Sequence, residues 1–383
     1  MRHPSIVYRL GAVLFTLGVI LTFDFGSRQV YRSVKKNWLE RRSGAGLKPP
    51  ALKSAFRCSH PVYHHGFVPN SSGIEYFGPI QTEYFINSGG FRDGKIRTVY
   101  LDSPQPRVLI LGDSYAEGVG VPWAETAVGR VAAALAPQGI EVLNGAVASY
   151  CPSLMLAKLK ELYKKERLRA DLVVAFIDIS DIEDELKYEA QPGGGFSLAE
   201  TSPFDVSWRW TWDKKLCDWL EVRVEKNFTL LGALSRNLRQ IWRKAGSPAG
   251  TAELKRATWT EYQGPSDEVI AEGLTKAEQS MDGILELVRA HRAELLVVIY
   301  PWLEQVNSGT SPSRAETFWE DWCQHHQVAL LNFFPRFVPM GKSYEKRFCI
   351  TNDGHWNAAG HARVAEELLP AIEQILSARK STD

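Results

Sequence analysis

The sequence predicts an α/β chain: a three-layer α/β/α sandwich around a mainly parallel sheet, plus an N-terminal transmembrane helix. Three observations predict it. Five short apolar runs between Val108 and Phe333 are separated by amphipathic stretches, which is the pattern of buried parallel strands alternating with helices. Chemically distinctive polar residues stand directly after several of these runs. A separate apolar run from Ile6 to Phe25 stands ahead of everything else.

At 383 residues, with 44% hydrophobic and 23% charged side chains, the chain can bury one large core or two modest ones, and disorder is not expected. Lys and Arg number 45 against 44 Asp and Glu, a net charge of +1. No global field therefore recruits nucleic acid, which is not an expected partner. Cys58, Cys151, Cys217, Cys323 and Cys349 contain no C-x-x-C pair, so neither a structural zinc site nor a thioredoxin-like motif is signalled. The odd count leaves at least one thiol unpaired within the chain; one or two disulfides remain open if the domain lies outside the cytoplasm, and the plainer reading is five buried free thiols.

Residues 1–26 read as a transmembrane anchor. About 20 helical residues rising about 1.5 Å each cross a hydrocarbon core of about 30 Å, and Arg9 and Asp24 fit near its two interfaces. No small-x-small site follows the run, so the anchor is expected to be retained. Residues 27–50 form a basic juxtamembrane linker, including Arg28, Arg32, Lys35, Lys36, Arg41 and Arg42. That bias alone places the following domain in the cytoplasm.

Residues 51–107 mix aromatics with Gly, Pro and Asn and read as a lead-in segment of short strands packed on the next domain. The main α/β domain spans 108–383, with an insertion at about 188–265. There Gly193 to Gly195 and the tryptophans Trp208, Trp210, Trp212 and Trp219 break the pattern, and the basic stretch near Leu220 to Lys244 reads as a solvated helix face over a buried stripe.

Within the main domain the apolar strand runs are "VLILG" (108–112), "IEVLNGAVASY" (140–150), "LVVAFIDIS" (172–180), "LLVVIYP" (295–301) and "VALLNF" (328–333). Helices are expected around Thr126 to Leu135 and Leu154 to Lys165, in "EVIAEGLTKAEQSMDGILELVRAH" and in "RAETFWEDWCQHH".

Ligands of such sheets sit beyond the carboxyl ends of the strands. The first strand runs into "GDSYAEGVG", which places Ser114 at the start of a helix. Its hydroxyl then lies at the positive dipole end and its N–H is free for an oxyanion, while Gly112 and Gly118 allow tight backbone. A serine nucleophile still needs a base that is itself oriented. "NDGHWNAAGHARVAEELLP" supplies Asp353 and His355 in a loop ahead of the last helix. Because that loop follows the last strand, the sheet can bring it over Ser114.

The blocks "GDSYAEGVG", "VLNGAVASY", "FIDISDIEDE" and "DGHWNAAGH" resemble those of the SGNH/GDSL hydrolase family, of the serine esterase and O-acyltransferase type, here with a D-x-H-W-N last block. The resemblance covers about Val108 to Leu369, interrupted by the insertion; its first and last blocks are specific as a pair and its middle two are loose. It implies a flavodoxin-like SGNH fold and Ser-His-Asp catalysis without cofactor or metal. Ser114 would be the nucleophile, His355 the general base and then acid, and Asp353 the group that fixes the imidazole. Oxyanion donors would be Ser114, Ser149 and Ser180.

The chain departs from the family at three points. Ser149 stands where the second block usually offers a glycine, and Ser180 stands where the third usually offers an asparagine. The usual D-x-x-H is shortened to D-x-H, as in the D-x-H-W pair of alginate-type O-acetyltransferases, where it precedes the serine.

The resemblance implies a membrane-anchored esterase or O-acyltransferase acting on acyl esters, chiefly acetyl, of cell-envelope or exported polysaccharide. Its domain would be periplasmic or extracellular, against the charge bias, with the membrane and a membrane acyl-donor protein as candidate partners. The alternative is a catalytically weakened carbohydrate-binding or assembly protein on the same fold. Carboxylates Asp178, Asp181, Glu183, Asp184 and Glu185 form a third, lesser candidate, a Mg²⁺ or Ca²⁺ site. His64, His65, His325, His326 and His361 show no metal-like spacing and read as structural or surface.

Overall fold

The computed structural model describes residues 56–77, 80–192, 194–198, 267–351 and 353–380. The expected anchor (1–26), the linker (27–50), Cys217 and most of the insertion, with its tryptophans and basic stretch, lie outside the described residues. Among the described residues no helix is long and apolar enough to cross a membrane.

The strands, in chain order, are β1 (Arg57–His60), β2 (His64–Phe67), β3 (Ser72–Phe77), β4 (Ile80–Ile86), β5 (Arg92–Asp93), β6 (Arg107–Leu111), β7 (Glu141–Asn144), β8 (Leu172–Ile177), β9 (Tyr188–Ala190), β10 (Phe196–Leu198), β11 (Glu294–Ile299) and β12 (Ala329–Asn332). The principal helices are α1 (Ser114–Glu117), α2 (Ala127–Leu135), α3 (Pro152–Lys164), α4 (Asp181–Lys187), α5 (Asp267–Ala290), α6 (Arg314–His326) and α7 (Ala358–Lys380).

Eight strands form one sheet in the order β12-β11-β8-β6-β7-β5-β4-β3. The five strands from β12 to β7 run parallel. Their spatial order, 2-1-3-4-5 in chain sequence, is the flavodoxin-like winding, in which the connections reverse direction between the first and third strands. Ser114 follows β6 and Asp178 follows β8, so both stand at that reversal.

Burial explains why these runs are strands. Every residue of β6 and of β8 is buried, as a parallel sheet covered on both faces requires. Alternate side chains separate cleanly. Leu109, Leu111, Val173, Ala175, Ile177 and Val297 join the core under α3, α5 and α6. Val108, Ile110, Leu172, Val174, Phe176 and Val298 join the core under α2 and α7.

The lead-in segment does more than pack on the domain. Its β5 pairs antiparallel with β7, and β4 and β3 extend the same sheet as a meander. In β4 only alternate residues, Thr82, Tyr84 and Ile86, are buried, the pattern of an antiparallel strand with one face on the core. The boundary expected at 107/108 therefore falls within a single sheet. The start of the insertion is the antiparallel pair β9–β10. The four described cysteines, Cys58, Cys151, Cys323 and Cys349, are free.

Candidate active site

Where β6 ends, the backbone must turn sharply. Gly112 has φ +152°, and a Cβ there would stand 2.7 Å from Phe176 Cβ and 2.8 Å from Ala116 Cβ, so only glycine fits. Asp113 then caps α1, its Oδ1 accepting the Tyr115 N–H at 2.9 Å. This places Ser114 as the first residue of α1, partly exposed.

The Ser114 Oγ lies 2.7 Å from His355 Nε2. Asp353 Oδ1 lies 2.6 Å from His355 Nδ1 and accepts the His355 backbone N–H at 2.9 Å. Hydrogen bonding from His355 holds the Asp353 carboxyl below the usual carboxylate range, against the opposing effect of burial. An ionised Asp353 fixes the proton on Nδ1 and leaves the Nε2 lone pair facing the serine hydroxyl. The chain resembles the SGNH/GDSL hydrolases.

Each residue of the "DGHWN" loop has a physical task. Tyr115 stacks on the His355 ring at 4.6 Å and donates from its hydroxyl to the Gly354 carbonyl at 2.9 Å. Phe77 meets the same ring edge-on at 5.2 Å. Trp356 is buried and donates from Nε1 to the Tyr344 hydroxyl at 2.9 Å. Asn357 Oδ1 accepts the N–H groups of Ala359 and Gly360, while its Nδ2 donates to the Cys349 carbonyl. Asn357 thus caps α7 and ties the loop to the preceding segment.

The three expected oxyanion donors are arranged differently from one another. Ser114 N–H stands at the first position of α1, where a helix leaves its N–H groups without an intrahelical acceptor. Ser149 is the third residue of the turn closed by Tyr150 N–H to the Val147 carbonyl at 3.1 Å, and its φ is +64°. That is a position where glycine is favoured, and here a serine holds it. The turn sits beside the residues leading into Ser114, since Val147 N–H donates to the Gly112 carbonyl at 3.0 Å.

Ser180 departs from expectation. It is buried, and both its N–H and its hydroxyl donate to Asp178 Oδ1 at 2.7 Å. A hydroxyl has one proton to give, so this arrangement leaves none for an oxyanion.

The acidic run is likewise engaged internally. Glu185 accepts the Ser153 N–H at 2.7 Å at the start of α3, and Asp184 pairs with Lys187 at 3.2 Å. Among the described residues no three His, Cys, Asp or Glu side chains are grouped to hold a metal ion.

Sequence reading missed a polar network beneath Ser114. The Tyr300 hydroxyl donates to Asp113 Oδ1 at 2.8 Å and lies 3.3 Å from Asp178 Oδ2, which also accepts the Trp302 indole N–H. Burial and the neighbouring Asp178 push the Asp113 carboxyl well above the usual range. The available signal was the "IYPW" that ends β11, because its polar tips lie at the same sheet end as Ser114. Of the histidines read as structural, His361 is buried, accepts the Ala127 N–H at 3.2 Å and is driven down to about 3 by burial.

No family model matches the chain, and no curated protein matches it. Solved structures similar to it include TesA, at 15% identity and TM-score 0.37 over 70% of this chain and 99% of that one. An esterase EstA from Pseudoalteromonas sp. is similar at 15% and 0.37, over 71% and 98%. A lipolytic G-D-S-L family member from Veillonella parvula is similar at 9% and 0.37, over 69% and 97%. At such identities and scores these likenesses add nothing to the site, whose reading rests on its own distances.

Proposed function

We propose that the chain is a membrane-anchored serine esterase or O-acyltransferase acting on acyl, chiefly acetyl, esters of envelope or exported polysaccharide, with its domain outside the cytoplasm. The observation that carries the reaction class is the continuous chain of contacts from Ser114 Oγ to His355 to Asp353. Ser114 Oγ attacks the ester carbonyl carbon as its proton passes to His355 Nε2. The Ser114 and Ser149 N–H groups stabilise the oxyanion. His355 then returns the proton to the departing sugar oxygen, leaving an acyl-serine, and activates water or a sugar hydroxyl to release it.

The site's partial exposure supports a bulky substrate approaching from solvent: the His355 and Asp353 side chains are 23% and 35% exposed. Anchoring and location rest on the apolar run at Ile6–Phe25 and on the family resemblance. The test is acetyl release from acetylated oligosaccharide, and acetyl transfer to a non-acetylated one, by the wild type and Ser114→Ala. Ser114-dependent turnover is expected, with a loss of about 10⁴-fold or more in the variant; equal turnover would refute the proposal.

One observation favours a second reading, a weakened carbohydrate-binding relative: Ser180 spends both donors on Asp178. Saturable glycan binding unchanged in Ser114→Ala, without ester turnover, would select it.

A further inference from the structure

The turn that carries Ser149 is anchored from both sides by groups outside its own block. Ala148, the residue before Ser149, donates its N–H to Glu117 Oε2 at 2.7 Å. Its carbonyl accepts from His65 Nε2 at 2.8 Å. Both peptide faces leading into the left-handed residue are therefore fixed.

The anchors are specialised for this task. Glu117 lies on α1, one turn beyond Ser114, and is fully buried. Burial alone would raise its carboxyl, but Arg57 and Arg92 outweigh that and hold it below its usual value. Arg57, from β1, donates through Nη2 to Glu117 Oε1 at 2.5 Å, and the Tyr84 hydroxyl donates to the same oxygen at 2.9 Å. His65, from β2, is pushed down to about 4 by burial. A neutral ring with Nε2–H on Ala148 leaves Nδ1 to accept, and His64 Nδ1 lies 2.9 Å away. The Tyr150 hydroxyl, just after the turn, donates to the His65 carbonyl at 2.5 Å.

We propose that the β1–β2 hairpin is a working part of the oxyanion site: His65 and Arg57 are positioning residues that, through Ala148 and Glu117, hold the Ser149 N–H in register with Ser114. The inference rests on the esterase reading above. Serine at φ +64° is uphill relative to glycine, and these bonds supply the external restraint that a glycine-containing loop would not need. The hairpin thus compensates for the family departure at Ser149, and Glu117 carries the restraint directly to the helix that bears the nucleophile.

The test compares His65→Gln, whose side-chain amide retains an N–H donor, with His65→Leu, which fills space without one. Wild type and Ser114→Ala are assayed alongside on an acetyl ester. The expected result is kcat within about threefold of wild type for His65→Gln. For His65→Leu, kcat should fall about tenfold with KM unchanged, less than the 100-fold or more of an oxyanion donor removed outright, and the rate of fluorophosphonate labelling should fall in proportion. Adding Ser149→Gly to His65→Leu should restore part of the lost kcat, because glycine needs no restraint there.

Equal kcat in the Gln and Leu variants, a loss confined to KM, or no rescue by Ser149→Gly would overturn the proposal. If His65→Leu does not fold, the same comparison is made with Arg57→Lys and Arg57→Met, expecting kcat loss in the latter only. Absence of Ser114-dependent turnover in the wild type would instead remove the esterase reading, so the two failures are separable.

Discussion

A single methyl group at position 112 would remove the space on which the turn into Ser114 depends. Gly112→Ala sets its Cβ within 2.8 Å of two carbon atoms in a core without slack, and about 1–3 kcal/mol of stability should be lost, measured by urea denaturation. Asp353→Asn keeps the shape of the dyad but no longer fixes the proton on Nδ1. A fall in kcat of about 10⁴-fold is expected, and a fall below tenfold would show that Asp353 does not orient His355. Tyr300→Phe deletes the hydroxyl between Asp113 and Asp178. It should cost about 1–3 kcal/mol, since buried carboxyl oxygens lose a donor, and unchanged stability would contradict the network's role.

At the scale of elements, sequence made some features legible and hid others for physical reasons. The convergence of Ser114, Asp353 and His355 was readable because each sits just outside a strongly periodic segment, and the connectivity of a parallel sheet brings such ends together. Ser180 does not fit the donor role that the resemblance implies, because a matched position names a residue and not its partner. Asp178, two residues earlier, curls back to accept both donors, a local bond that competes with any outward role. The strands of the lead-in were legible from turn residues and aromatics. Their addition to the edge at β7 was not, because which sheet edge stays open is settled only by tertiary assembly. The anchoring of Ala148 by His65 and Glu117 joins residues 83 and 31 positions apart and left no mark in any single window.

For the molecule as a whole, the flavodoxin-like winding sets the crevice, and the buried charges set how stability follows pH. Lys158 on α3 is buried, donates to the Gly145 carbonyl at 2.8 Å, and faces Glu117 and Cys58. Burial lowers it from 10.5 to about 7. Between these two values the unfolded chain binds a proton that the folded chain does not, so this contribution is fully present above about 10.5 and is lost as pH falls to about 7. Wild type should therefore gain stability relative to Lys158→Met between pH 7 and pH 9.5 in urea denaturation, and parallel curves would show that Lys158 stays charged in the fold.

The most direct test of the central claim, that His355 activates Ser114, is the rate at which a fluorophosphonate labels the protein, read by intact mass and peptide mapping. One label per chain on Ser114 is expected in the wild type, with labelling slowed by about 100-fold or more in His355→Ala. Equal rates in the two proteins, or a label carried anywhere but Ser114, would contradict it.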